Sequence, residues 1–158
     1  MIDAEILRAI VNAAIFRLPD ANRPILEQIQ LLIDQCLPGH LGLRLIRLDA
    51  DQSEARLSYR REIAGLHGYM HGGAIFTAGD TLTALMLLHQ INPDTRNVLT
   101  TDAGIRYLRP LPDGDLIIKG RIIKRTGNKI KMVADFFNEA GKRIAQSRFT
   151  CLLYAGQQ

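Results

Sequence analysis

HGYMHGGAIFTAGDTLTALMLLHQIN, residues 67–92, carries a single formal charge, Asp80, when histidine is counted neutral. After the glycine pair Gly72-Gly73, apolar residues at Ile75, Ala78, Leu82, Leu85, Met86 and Leu88 recur at helical spacing, and most positions between them are small or apolar too. A helix with so little polar surface must be wrapped by other structure. Asp80 stands apart from that pattern. No Lys or Arg lies three or four positions away to pair with it, and its helical neighbours are Phe76, Thr77, Thr83 and Ala84. A carboxylate in such a setting costs several kcal/mol unless it is hydrogen-bonded or wetted by a cleft. Three readings stay open for it: a solvated helix edge, a polar anchor satisfied by threonine hydroxyls, or a functional acid.

The glycines add a second feature. His71-Gly72-Gly73 places two residues without Cβ where the helix begins, so a ligand can approach backbone N–H groups that have no intrahelical acceptor. A helix start also carries about half a positive charge, which suits an oxyanion or a polarised carbonyl. Asp80 lies about two turns further along, on the order of 10 Å by helical rise. One carboxylate does not easily reach a carbonyl held at its own helix start. The helix of a second copy, facing it across a two-fold axis, would bring another aspartate beside it.

Working outward, 158 residues with 47% hydrophobic and 23% charged composition predict one ordinary globular domain. The net charge of +4 is too mild to imply nucleic acid and fits a polyanionic small molecule equally well. Cys36 and Cys151 have neither metal-ligand nor redox spacing, so both are expected as free thiols in a reducing compartment. MIDAEILRAIVNAAIF, residues 1–16, has acidic residues where a signal peptide needs basic ones. Residues 72–91 are long enough to span a bilayer, but a central Asp costs about 2.5–3.5 kcal/mol on insertion scales. A cytoplasmic protein without a membrane or nucleic-acid partner is the expectation, the basic residues lying on strands rather than on one recognition helix.

Upstream, Ile6, Leu7, Ile10, Ala13 and Ala14 predict a helix over residues 3–17, ended by Leu18-Pro19-Asp20. Arg23-Pro24 opens a second helix whose Leu26, Ile29, Ile33 and Leu37 form one face, with Pro38-Gly39 as its stop. Residues 1–40 thus read as a helical extension packed on a domain spanning 41–158. From Leu41 the period becomes two: Leu43, Leu45 and Leu48 run into the acidic turn Asp49 to Asp51, and Ala55, Leu57 and Tyr59 alternate with Glu54, Arg56 and Ser58. A loop with Gly65 and Gly68 leads to the central helix. After Asn92-Pro93-Asp94, residues 97–108 read as a strand, and 115–125, 129–138 and 142–154 as three more joined by short glycine turns. The result is an α+β chain: a six-stranded, mostly antiparallel sheet curled around one long central helix.

These residues resemble the hotdog-fold acyl-CoA thioesterases, in the branch related to the phenylacetic-acid-pathway and human mitochondrial-type enzymes, over about residues 41–154. Three pieces carry the resemblance: His71-Gly72-Gly73 with Asp80 nine positions after the histidine, Tyr107-Leu108-Arg109-Pro110 followed by Gly114-Asp115, and Gly127-Asn128-Lys129 opening a strand. It implies a homodimer with paired central helices, often doubled to a tetramer, and an acyl-CoA thioester held between protomers. By the same analogy the Gly73 N–H polarises the thioester carbonyl, and Asp80 of the facing chain acts as nucleophile or activates water. Thr100 falls where a water-orienting hydroxyl is placed, with Thr101 a near alternative. The branch commonly has an asparagine six residues before the HGG histidine; here that position is Gly65, and His67 is the side chain of the same loop that would substitute.

Other candidates follow from chemistry. His71 is either a base titrating near neutral pH or the residue that shapes the helix start. His40 and His89 are expected to be structural or exposed. Lys119, Arg121, Lys124, Arg125, Lys129 and Lys131 cluster around the turn at 126–128, and Arg109 joins them with Arg106 as charges suited to coenzyme A phosphates. Gly72, Gly127 and Asn128 complete the substrate-binding candidates; the plain alternative is a solvated hairpin whose glycine and asparagine form its turn. Hydrolysis of an acyl-CoA thioester needs no metal and no cofactor, because the carbonyl is already electrophilic. The competing class is a non-catalytic acyl-CoA binder or regulator.

Overall fold

The computed structural model describes residues 1–92, 95 and 97–155. Along these the chain forms α1 (Ala4–Ile10), α2 (Ile25–Ile33), α3 (Leu37–Leu41), β1 (Leu43–Leu48), β2 (Gln52–Ser58), α4 (Gly72–Met86), β3 (Asn97–Tyr107), β4 (Asp115–Thr126), β5 (Lys129–Phe137) and β6 (Arg143–Tyr154). The apolar stretch is α4, prolonged by a 3-10 turn over Leu87–Gln90. The six strands make one sheet in the order β1-β2-β4-β5-β6-β3, and every pairing is antiparallel. Six strands at the usual spacing span about 24 Å, whereas a helix with its side chains is about 10–12 Å wide. Since α4 touches all six strands, the sheet curls around it. This is the hotdog fold.

Strand alternation and glycine placement seat the helix. Leu116, Ile118, Ile130, Met132, Ala134, Phe136, Phe149 and Leu153 point inward and are buried with Leu82 and Met86. A Cβ on Gly79 would come within 2.5 Å of the Phe136 ring, and one on Gly120 within 2.9 Å of the Met86 sulfur. Both glycines therefore set how closely helix and sheet approach. The other side of α4 is only half-covered: Phe76, Thr77, Asp80, Thr81 and Ala84 are neither buried nor fully exposed.

The two sheet edges differ. At β1, the Gln30 side chain of α2 donates to Leu43 O at 3.0 Å and accepts from Leu45 N at 2.8 Å, so the helical extension occupies that edge. Ile2, Leu7, Ile29, Leu32 and Ile33 join the same core as the sheet. At the other edge β3 runs for 11 residues with Leu99, Ala103 and Gly104 exposed, and no described element covers it. A bulge between Thr100 and Asp102 interrupts its pairing with β6.

The first helices differ from the reading over 3–17 and 24–37. α1 stops at Ile10 because Asn12 takes over the backbone: its side chain accepts from Ala14 N and its carbonyl from Ile15 and Phe16. The second helix ends at Ile33 rather than at Pro38-Gly39, which sit inside α3. A proline ring cannot continue a helix over the carbonyl four residues back, but it is tolerated in a first turn, so the chain breaks at 34–36 and restarts. Leu37 consequently lies exposed and not on the buried face. The expected break at 92–94 lies partly outside the described residues.

Candidate active site

The start of α4 is built from three segments. His71 is its N-cap, and His71 Nδ1 accepts a hydrogen bond from Gly73 N at 2.9 Å. The ring thus holds the N–H that the resemblance assigns to a carbonyl, in the tautomer whose Nδ1 is unprotonated. Gly72 N–H, the first of the helix, has no intrahelical acceptor. From β3, the Tyr107 hydroxyl donates to Gly72 O at 2.7 Å, and a Cβ on Gly72 would meet that hydroxyl at 3.0 Å. Burial pushes the Tyr107 phenol up, so it stays protonated and donating.

The third segment is a closed loop over residues 64–70, pinned by the Ala64–Met70 bridge and by Gly65 N donating to Tyr69 O at 2.7 Å. His67 is exposed on it, with no hydrogen-bond partner among the described residues. A Cβ on Gly65 would sit 3.8 Å from the His71 ring, an ordinary contact, and the backbone there is not left-handed. The backbone at Gly65 therefore admits a Cβ.

Asp80 is half-buried on the half-covered side of α4, and Thr100 Oγ1 donates to its Oδ1 at 3.0 Å. The β3 bulge follows immediately on Thr100, which keeps Thr100 on the inner face while Thr101 turns its hydroxyl to Thr150 O. On Thr100's other side, Cys151 Sγ lies 3.7 Å from the same hydroxyl. Burial raises the Cys151 thiol, and the Asp80 charge adds to the rise. Neither Tyr107 nor Cys151 was singled out by the sequence for a role, because each partnership depends on strand register. Both cysteines are free thiols.

The basic candidates divide between the two ends of the sheet. Arg109 lies between Tyr107 and Leu111, which bond Gly72 and Met70 at the α4 start, and its guanidinium donates to Arg143 O at 2.6 Å. Arg125, Gly127, Asn128 and Lys129 form the opposite tip: Arg125 donates to Gln90 at 2.6 Å and to Gly127 O at 3.3 Å, and Gly127 has φ +58. From Gly72 to Gln90 the helix and its 3-10 turn rise on the order of 28 Å. One chain thus keeps the basic tip far from its own helix start, and Asp80 about 10 Å from its own Gly73. His89 contacts Leu48 O at 3.1 Å and His40 offers its carbonyl to Arg60, both structural contacts. Among the described residues no three His, Cys, Asp or Glu side chains gather to hold a metal, and no helix is long and apolar enough to cross a membrane.

This fold recurs in known proteins. The family model described as the thioesterase superfamily matches residues 67–145. A Saccharolobus solfataricus protein named as a candidate esterase is 26% identical over 122 residues, 77% of this chain and 85% of its own. The crystal structure of a Haemophilus influenzae thioesterase superposes with a TM-score of 0.77 at 22% identity, covering 85% of this chain and 93% of that one. A Streptococcus mutans protein crystallised with acetyl-CoA has a TM-score of 0.65 at 18% identity, covering 73% and 91%.

Proposed function

We propose, from the premise that this chain belongs to the thioesterase superfamily, that it hydrolyses an acyl-CoA thioester to the free acid and coenzyme A at a site shared by two copies of the chain. The observation that carries this reading is the Asp80 carboxylate, held by Thr100 at 3.0 Å on the half-covered side of α4. Thr100 satisfies one carboxylate oxygen and fixes the side chain's orientation, which suits the group to act on a bound substrate. The uncovered β3 edge supplies the means of pairing, because an exposed strand recruits a second strand. Edge-to-edge pairing about a two-fold axis sets the second copy's central helix against the open side of α4.

In that arrangement the substrate carbonyl takes the place of His71 Nδ1 as acceptor of the Gly73 N–H, at the positive end of the helix. Asp80 of the second copy lies on the opposite side of the thioester. It either attacks the carbonyl carbon, expelling the thiolate of coenzyme A and forming a mixed anhydride that water then hydrolyses to the free acid, or takes the proton of a water that attacks the carbonyl carbon and expels the same thiolate. The antiparallel pairing also carries the second copy's Arg125–Lys129 tip toward this chain's helix start, where Arg109 lies, so coenzyme A phosphates meet charges from both chains. This chemistry requires no metal and no redox cofactor. The acetyl-CoA bound to the Streptococcus mutans protein supports a coenzyme A substrate. Two free thiols support a reducing compartment, the cytoplasm.

Free-thiol release from a panel of acetyl-, hexanoyl-, palmitoyl- and phenylacetyl-CoA, measured for wild type and Asp80→Asn beside the mass in solution, tests the reading. Turnover in wild type, a loss of at least a hundredfold in Asp80→Asn, and a dimer or a dimer of dimers are expected. Gly65, with no side chain to hold water or leaving group, favours a second reading, a non-catalytic acyl-CoA binder. Binding without turnover in both proteins would select it.

A further inference from the structure

Thr100 stands between two partners with only one proton to give. Its Oγ1 lies 3.0 Å from Asp80 Oδ1 and 3.7 Å from Cys151 Sγ. A carboxylate offers acceptors only, so the threonine proton points at Asp80 and the contact with sulfur must be filled by the thiol hydrogen. The direction of both bonds follows: Cys151 S–H donates to Thr100 Oγ1, and Thr100 O–H donates to Asp80. Burial keeps the thiol protonated for this task. Its position is fixed by the sheet, since Cys151 is the registered partner of Thr100 across β3 and β6 and is 1% exposed.

We propose that Cys151 is a positioning residue of this active site, acting through Thr100 to aim the hydroxyl that holds the Asp80 carboxylate in its reactive orientation. Cys151 makes its side-chain hydrogen bond to Thr100 and none to Asp80. Without its S–H, the threonine lone pairs lose a partner, and the hydroxyl is free to rotate toward other acceptors. The proposal rests on the reading of Asp80 as the reacting acid, and the experiment separates the two.

Thiol release from the most rapidly hydrolysed acyl-CoA of the panel is measured for wild type, Cys151→Val, Cys151→Ser, Thr100→Val and the Thr100→Val/Cys151→Val double variant, with thermal unfolding alongside. A neutral hydrogen bond removed from a positioned group lowers kcat about three- to tenfold, and KM stays within about twofold. Cys151→Ser, which keeps a donor, retains more than half of wild-type kcat. In the Thr100→Val background the cysteine change alters kcat less than about twofold, because the group it acts through is already gone. The relay is overturned if Cys151→Val costs as much with Thr100 absent as with it present, if serine is no better than valine, or if Cys151→Val is fully active while Asp80→Asn is dead. An inactive wild type, or an undiminished Asp80→Asn, overturns the underlying reading and the proposal with it. Cys151→Ala replaces the valine variant in the same cycle if valine prevents folding.

Discussion

A threonine hydroxyl 3.0 Å from a carboxylate oxygen is a bond to a charged group, of a kind worth about 1.5–3 kcal/mol. Thr100→Val should therefore lower kcat about ten- to a hundredfold with KM little changed, which steady-state kinetics on the responsive acyl-CoA would check. Gly65→Asn addresses the opposite case, a side chain the site lacks. Its Cβ meets only ordinary contacts, so the melting temperature should stay within a degree or two of wild type while kcat rises. The Cys151 thiol yields a pH prediction. Because the folded thiol is raised by burial, the unfolded chain loses its proton first, near the usual value of about 8.5, and the folded state keeps it. The unfolded state then binds fewer protons, so stability falls as pH rises above that value. Thermal unfolding at pH 7 and 10 should show a smaller alkaline loss for Cys151→Val than for wild type. Asp80 and the paired glycines were legible in the sequence because they break a local pattern. The Tyr107 contact with Gly72 and the Cys151 contact with Thr100 span 35 and 51 residues, and nothing local announces them.

Among the elements, α4 is set by what it lacks. Gly79 leaves room for Phe136, and a Cβ there would need 2.5 Å where the ring already stands. Gly79→Val should cost about 1–3 kcal/mol by overpacking and lower Tm by about 3–10 °C, as calorimetry would show. The six strands were readable because alternation and glycine turns agree along most of their length. The N-terminal helices were less so. There Asn12 and Pro38 redirect the backbone through side-chain and ring effects that apolar spacing does not register. Gln30, whose amide pairs with the β1 edge, carries no signal in the sequence, since a polar residue on a helix usually faces water.

For the whole molecule, the asymmetry of the sheet edges matters most. One edge is occupied by Gln30 of α2, while β3 presents an open edge beside the half-covered side of α4. Ala103→Arg places a charge on the inner face of that edge and should yield a monomer that has lost turnover, read together by light scattering and thiol release. The shared site itself is tested by mixing two dead chains. Asp80→Asn lacks the acid; Gly73→Pro lacks the N–H, with proline at the second helical position that Pro38 occupies in α3. Each homodimer should be inactive. In mixed dimers one site joins the intact helix start of the first chain to the intact acid of the second, so thiol release should return to about half of wild type per mixed dimer. Mixed dimers as inactive as their parents would contradict a site divided between two chains.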